Sequence, residues 1–306
     1  MYGIANLGAT CYLNSAIICL WAFKNFRDYI KNYETETKTE DHQLHITLAS
    51  VFKDLETKTC IPRDLLKALI DKMPEIYLFQ QNDLFEFLVL FIEKIHQEVM
   101  RPGKVSIEDL KKKAKYKDTS LDRQRLKLDT AWFCSETAEI SALRPFFYGQ
   151  NISQINCNTC GHIWHNYEPY MGLMLPIVGD TFKSCMSKYF EDEEFNDWRC
   201  DKCKNLGGIK TLKLWRMPQI FIVTLKRFNY DGSKNTTKVK MPLKFSMNSA
   251  KYQLNSIGYH YGHALNGHYI ANILSDSKWY LADDCTVSEI QEPDLENGYV
   301  YFYGKA

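Results

Sequence analysis

The stretch Gly3-Ile4-Ala5-Asn6-Leu7-Gly8-Ala9-Thr10-Cys11-Tyr12-Leu13-Asn14 decides how the rest of the chain is read. Glycine and alanine crowd the approach to Cys11, and the run from Tyr12 to Phe23 has the length and apolar spacing of a buried helix. A cysteine there sits at a helix N-terminus, where unpaired N–H groups and the positive end of the dipole favour thiolate over thiol. The expectation is an activated nucleophile. Taken alone, an ordinary core cysteine is the commoner meaning of such a residue, so the remaining chain has to decide.

Working outward, the first 100 residues read as helical. Leu44 to Leu55, Pro62 to Lys72 and Asp83 to Val99 carry apolar residues at three- and four-residue spacing. From Lys104 to Lys127 the chain is strongly charged around Lys111-Lys112-Lys113, and Glu108, Asp109, Asp118 and Asp122 interrupt the basic run. That segment reads as a solvated helix or connector with no chemistry. After Phe146 the texture changes to short β-like runs at Ile209 to Leu214, Ile220 to Leu225, Tyr269 to Leu274, Trp279 to Ala282 and Tyr299 to Tyr303. Only Phe182 to Tyr189 reads as a helix in that half. Helices first and strands after make an α+β arrangement.

Composition narrows the function. With 38 basic and 37 acidic residues the formal charge is +1, which gives nucleic acid or an anionic membrane no electrostatic foothold and leaves protein as the expected partner. No run of about 18 apolar residues and no secretory leader pattern is visible. The expectation is an intracellular protein, cytoplasmic or nuclear, and a monomer. Four of the ten cysteines form two pairs, Cys157-Asn158-Thr159-Cys160 and Cys200-Asp201-Lys202-Cys203, with 39 residues (161–199) between them. Two such knuckles supply the tetrahedral set of four thiolates that zinc prefers, so one structural Zn2+ is expected, with disulfides or unligated thiols as the alternatives. His162 and His165 lie close enough to substitute as ligands.

A thiolate nucleophile needs a base and a group to orient it. Asn266-Gly267-His268-Tyr269 places a histidine where a glycine-containing loop meets a strand, and Asp283-Asp284 closes the next strand. Antiparallel neighbours would bring His268 and one aspartate together, although each signal alone fits a packed histidine and turn aspartates equally well. The site would lie in the cleft between the helical and strand-rich parts.

These residues resemble the catalytic domain of the ubiquitin-specific proteases, papain-like cysteine peptidases that cleave after the C-terminal glycine of ubiquitin. The likeness rests on the Gly3 to Asn14 box, on Gln81-Asn82-Asp83-Leu84-Phe85-Glu86-Phe87-Leu88, and on both cysteine knuckles. It continues through Leu173-Leu175-Pro176, Leu225-Lys226-Arg227-Phe228, His260-Tyr261-Gly262, Gly267-His268-Tyr269, Trp279 with Asp283-Asp284, and Tyr299-Val300-Tyr301-Phe302-Tyr303.

The resemblance implies one domain over 1–306. Its parts would be a helical thumb at 1–145, mainly zinc-tipped β fingers with part of the palm at 146–220, and a β palm at 221–306 carrying His268. It implies Cys11 as nucleophile, His268 as base and then acid, Asp283 as orienting carboxylate, Asn6 as oxyanion donor and Asp284 as a possible assistant. Tyr269, Gly267 and Asp83 would contact substrate, Cys157, Cys160, Cys200 and Cys203 would hold the zinc, and ubiquitin and ubiquitinated proteins would be the partners.

Departures are Ala282, where an aromatic is usual, and Leu84-Phe85 in place of Ala-Gln. Asp83 and Glu86 are equally readable as caps of the following helix. Gly258 to Gly267 resembles a loop over the tail channel that gates access. A protease for another ubiquitin-like modifier and a silent ubiquitin-binding scaffold are the alternative readings. Because the resemblance runs from the third residue to nearly the last, the expectation is a minimal enzyme or an excised fragment, with control of Cys11 left to palm loops or partners.

Overall fold

The computed structural model describes residues 1–33, 42–74, 76, 80–100, 106–114, 120–133, 141–264 and 266–306. Its helices are α1 (Cys11–Trp21), α2 (Lys24–Asn32), α3 (Gln43–Thr57), α4 (Arg63–Lys72), α5 (Leu84–Val99), α6 (Ile107–Ala114), α7 (Ser120–Phe133), α8 (Arg144–Phe147) and α9 (Phe182–Tyr189). The strands are β1 (Gly149–Cys157), β2 (Ile163–Tyr170), β3 (Gly172–Leu175), β4 (Glu193–Arg199), β5 (Leu206–Arg216) and β6 (Ile220–Leu225). They continue with β7 (Lys244–Met247), β8 (Ala250–His263), β9 (Asn266–Ser275), β10 (Lys278–Asp283), β11 (Thr286–Ile290) and β12 (Val300–Lys305).

The helix headed by Cys11 is apolar on nearly every side, and all eleven residues of α1 are buried. A helix without a polar face belongs in the middle of a domain. It packs against α2 and α5 on one side and against β8, β9 and β10 on the other. The Ser256 hydroxyl of β8 donates to the Cys19 carbonyl of α1 at 2.9 Å, fixing the height of the helix on the sheet.

That sheet runs β11-β10-β9-β8-β12-β6-β3, with β7 paired to β8 off the path and β3 parallel to β6. The unbroken apolar run of β6, Ile-Phe-Ile-Val-Thr-Leu, is buried at every position because both faces are covered. Ile220 and Ile222 join the core under α1, whereas Phe221, Val223 and Leu225 join a second core with Cys185, Met186, Tyr252 and Tyr301. The other sheet, β2-β1-β5-β4, is antiparallel and carries Cys157 at the end of β1 and Cys160 in the following turn.

The charged run 104–127, expected as a solvated helix or connector, is helical at Ile107–Ala114 and from Ser120, and α7 extends to Phe133 with Leu128 and Trp132 buried. The Leu128 carbonyl accepts from Gln150 Nε2 at 3.0 Å, and Trp132 lies 3.9 Å under the Arg144 guanidinium. Two sequence readings change. Gly258 to Gly267 is not a ten-residue loop. Gly258 through His263 belong to β8 and pair residue by residue with β9, ending at Gly262 opposite Gly267 and His263 opposite Asn266. Finally β8, the longest strand, escapes a sequence reading because Lys, Gln, Asn, Gly and His dilute its alternation. No described helix is long and apolar enough to cross a membrane.

Candidate active site

Cys11 is the first residue of α1, as the small-residue approach suggested, and is 2% exposed. Its loop is set by Asn6, whose Oδ1 accepts from the Gly8 N–H (3.0 Å), the Thr10 N–H (3.2 Å) and the Thr10 hydroxyl (3.1 Å). Three donors on one oxygen fix which end of the amide is which. The amide nitrogen therefore points the other way, and donates to Asp284 Oδ2 at 2.9 Å.

His268 on β9 and Asp283 at the end of β10 come from adjacent strands whose register pairs Ala282 with Ala271. His268 Nε2 lies 2.6 Å from Asp283 Oδ1. That bond leaves Nδ1 as the ring nitrogen free to exchange a proton with a thiol. The backbone N–H of Tyr269, next to His268, reaches the Cys11 sulfur. Cys11 and His268 are thus neighbours, although among the described residues no hydrogen bond joins their side chains. Gly267 has to be glycine: a Cβ there would come within 2.2 Å of His260 Nε2 and 2.4 Å of the Tyr261 carbonyl.

The two aspartates, inseparable in sequence, separate in structure. Asp283 faces His268, while Asp284 takes a left-handed backbone (φ 48°) and turns toward the Cys11 loop. Its carbonyl accepts the Ile4 N–H at 2.9 Å, its Oδ2 takes Asn6 and its Oδ1 takes Asn14 Nδ2 at 2.8 Å. The approach is that close because residue 3 is glycine, where a Cβ would sit 2.2 Å from the Asp284 carbonyl oxygen. Asn14 is a residue the sequence reading passed over. Its only signal was its position one turn along from Cys11.

The electrostatics of Cys11 reverse an expectation. Burial pushes its thiol above the ordinary value and the Asp284 charge adds to this, while the N–H groups of Tyr269, Tyr12 and Cys11 itself pull it down without winning. Helix-end stabilisation of a thiolate, worth about 0.3–1 kcal/mol at an exposed site, loses to desolvation here.

A cavity of about 990 Å³ runs up to Gly267 and Tyr269 and is walled by Asp83, Glu86, Phe228, His260 and Tyr299. The Asp83 carboxylate caps α5, accepting from the Phe85 N–H (2.8 Å) and Glu86 N–H (2.9 Å), and also takes the Tyr299 hydroxyl at 2.6 Å. Burial pushes its carboxyl up. Next to Phe228, the buried Arg227 guanidinium donates to the carbonyls of Gly298 (2.9 Å), Thr237 (2.8 Å), Asn235 (3.1 Å) and Glu296 (3.2 Å). One cation thereby ties two chain segments behind the cavity wall.

Far from this cavity, Cys157, Cys160, Cys200 and Cys203 offer sulfurs that all lie within 4.8 Å of one another. Cys157 and Cys203 are 3.6 Å apart, Cys160 and Cys200 3.7 Å. A tetrahedron with metal–sulfur bonds of about 2.3 Å has edges of about 3.8 Å, so the set fits a tetrahedral ion. His162 and His165 are not in the cluster.

The ubiquitin carboxyl-terminal hydrolase family profile matches residues 2–303. Among curated relatives, ubiquitin carboxyl-terminal hydrolase Usp2 of Drosophila melanogaster is 26% identical over 98% of this chain and 34% of its own length. Ubiquitin carboxyl-terminal hydrolase 21 of Rattus norvegicus is 27% identical over 98% of this chain and 61% of its own. The chain therefore spans less than two thirds of either protein. A solved structure of the SAGA DUB module (Ubp8, Sgf11, Sus1 and Sgf73) bound to monoubiquitin superposes over 100% of this chain and 69% of the matched one. Its TM-score is 0.78 at 21% identity, a likeness of fold.

A raised thiol makes a kinetic prediction. Iodoacetamide alkylation of Cys11, followed by peptide mass spectrometry, should keep accelerating with pH through the ordinary thiol range near about 8.5. A plateau below pH 7 would show a resting thiolate and contradict the burial argument.

Proposed function

The chain belongs to the ubiquitin carboxyl-terminal hydrolase family, and from that premise we propose that it is a deubiquitinase, a thiol-dependent hydrolase of isopeptide or peptide bonds at ubiquitin's C-terminal glycine. The observation that carries the proposal is the His268–Asp283 pair at 2.6 Å beside Cys11, next to a cavity lined by Gly267 and Tyr269. Ubiquitin and ubiquitinated proteins are the proposed partners. The site is read as that of an intracellular monomer without nucleic-acid or membrane partners.

The proposed chemistry follows from the atoms. Cys11 Sγ attacks the carbonyl carbon of the terminal glycine as its proton passes to His268 Nδ1, and the carbonyl electrons move onto oxygen. Asp283 on Nε2 holds the ring and stabilises the imidazolium. An amide nitrogen has two N–H groups, and Asn6 gives one to Asp284, so the second serves as donor to the oxyanion. When the C–N bond breaks, His268 returns the proton to the leaving amine. Water, deprotonated by His268, then hydrolyses the thioester and frees Cys11. Because burial raises the Cys11 thiol, the proposed first step couples attack to proton transfer, with His268 as base.

In this reading residues 1–145 form a thumb, 146–220 mainly the fingers and 221–306 the palm. The modifier's tail lies in the cavity against Tyr269, Gly267 and Asp83. Asp83 acts as a wall whose carboxylate is already engaged, and Asp284 as an assistant. Cys157, Cys160, Cys200 and Cys203 hold one zinc ion; four protein ligands leave it no open position, so its contribution is to tie two hairpin ends together.

Wild-type protein should release the fluorophore from a ubiquitin C-terminal amide, and Cys11→Ala or His268→Ala should each lower kcat by at least about 10³-fold. Turnover surviving in Cys11→Ala rejects the reading. Elemental analysis should find one zinc per chain, lost in Cys200→Ser together with a lower melting temperature; a metal-free protein that melts at the same temperature rejects the ion.

A further inference from the structure

Asn14 is 1% exposed and lies three residues after Cys11, on the same side of α1. Its Nδ2 donates to Asp284 Oδ1 at 2.8 Å and to the Ile4 carbonyl at 3.3 Å. Both partners are oxygens, so the amide has one acceptable orientation; flipping it would set oxygen against oxygen. In that orientation Oδ1 is buried with no partner. An unsatisfied buried acceptor is a standing cost to the fold, which a leucine of the same shape would avoid. The side chain is kept for what its nitrogen does.

What the nitrogen does is hold one oxygen of the Asp284 carboxylate while Asn6 holds the other. The carboxylate is a bridge between two amides of one segment. The first is buried within the helix; the second is exposed on the loop ahead of Cys11. Orientation therefore passes from Asn14 through Asp284 to the Asn6 amide, whose other N–H the proposed mechanism assigns to the oxyanion. We infer that Asn14 is a positioning residue for the oxyanion donor, acting through Asp284. The inference rests on the hydrolase reading. Asn14 is buried within α1 and does not line the cavity, so it makes no direct contact with a bound tail there.

The test separates steps that build an oxyanion from steps that do not. Asn14→Leu, which keeps the branched shape and removes both polar groups, should lower kcat for a ubiquitin C-terminal amide by about 10- to 100-fold with KM unchanged. That is less than the 10²–10³ lost when an oxyanion donor is deleted outright. Alkylation of Cys11 by iodoacetamide at fixed pH, which forms no oxyanion, should stay within about threefold of wild type. Asp284→Ala should lower kcat similarly, and Asn14→Leu added to it should cause no further loss, since the two act in one chain.

Asn14→Ala, checked for a cooperative melt, serves if the leucine variant does not fold. An unchanged kcat overturns the inference, as does a parallel fall in alkylation or a multiplicative double variant. A wild type that does not turn over sinks both this inference and the deubiquitinase reading, whereas turnover unaffected by Asn14→Leu sinks this inference alone.

Discussion

A single carboxylate joins the two ends of the chain. Asp284 receives Asn6 and Asn14 on its side chain and Ile4 on its carbonyl, across 278 and 270 residues for the two amides. The Cys11 loop belongs to the helical layer and His268 to the sheet, so their relative position is a tertiary property that no local propensity sets. Packing of α1 on β8, β9 and β10 brings the layers together over a broad area, but apolar packing is not directional. The hydrogen-bonded bridge supplies the direction. It needs a left-handed Asp284, a local strain that the surrounding packing has to hold, and a Cβ-free residue 3 that admits the close approach.

The same bridge bears on the electrostatics. Burial is the main cause that raises the Cys11 thiol, and the Asp284 charge that fixes Asn6 adds to it, against the helix-end effect that a sequence reading favours. Stability of the loop and acidity of the nucleophile therefore pull in opposite directions. In the proposed mechanism His268 resolves the conflict, taking the proton only when an electrophile is present. The cavity wall follows a related logic. Asp83, Arg227 and Tyr299 are polar groups in that wall whose hydrogen bonds are filled by backbone and by each other.

Much of the fold was legible because its signals are local. The largely apolar α1, the short helices α4 and α9, the apolar β6 and the paired cysteines each announce themselves within a dozen residues. What sequence could not supply was anything carried by pairing at long range. The strand β8 hides behind polar residues, and its glycines read as a loop until their pairing with β9 is seen. Asp283 and Asp284 are chemically identical neighbours and diverge only because one backbone turns left-handed. Asn14 looked like a helix residue with nothing to do. The thiol shift was misjudged because its dominant cause, burial, depends on the sheet that closes over α1.

The central claim is that this framework presents Cys11, and no other sulfur, to a glycine tail lying in the cavity. Cys285, exposed and adjacent to Asp284, is the nearest competitor in sequence to the site. Treating the protein with ubiquitin whose C-terminal carboxyl is replaced by an electrophile, then mapping the adduct by peptide mass spectrometry, decides between them. The account predicts a single adduct on Cys11, absent from Cys11→Ala. An adduct on Cys285, or none at all, would contradict it.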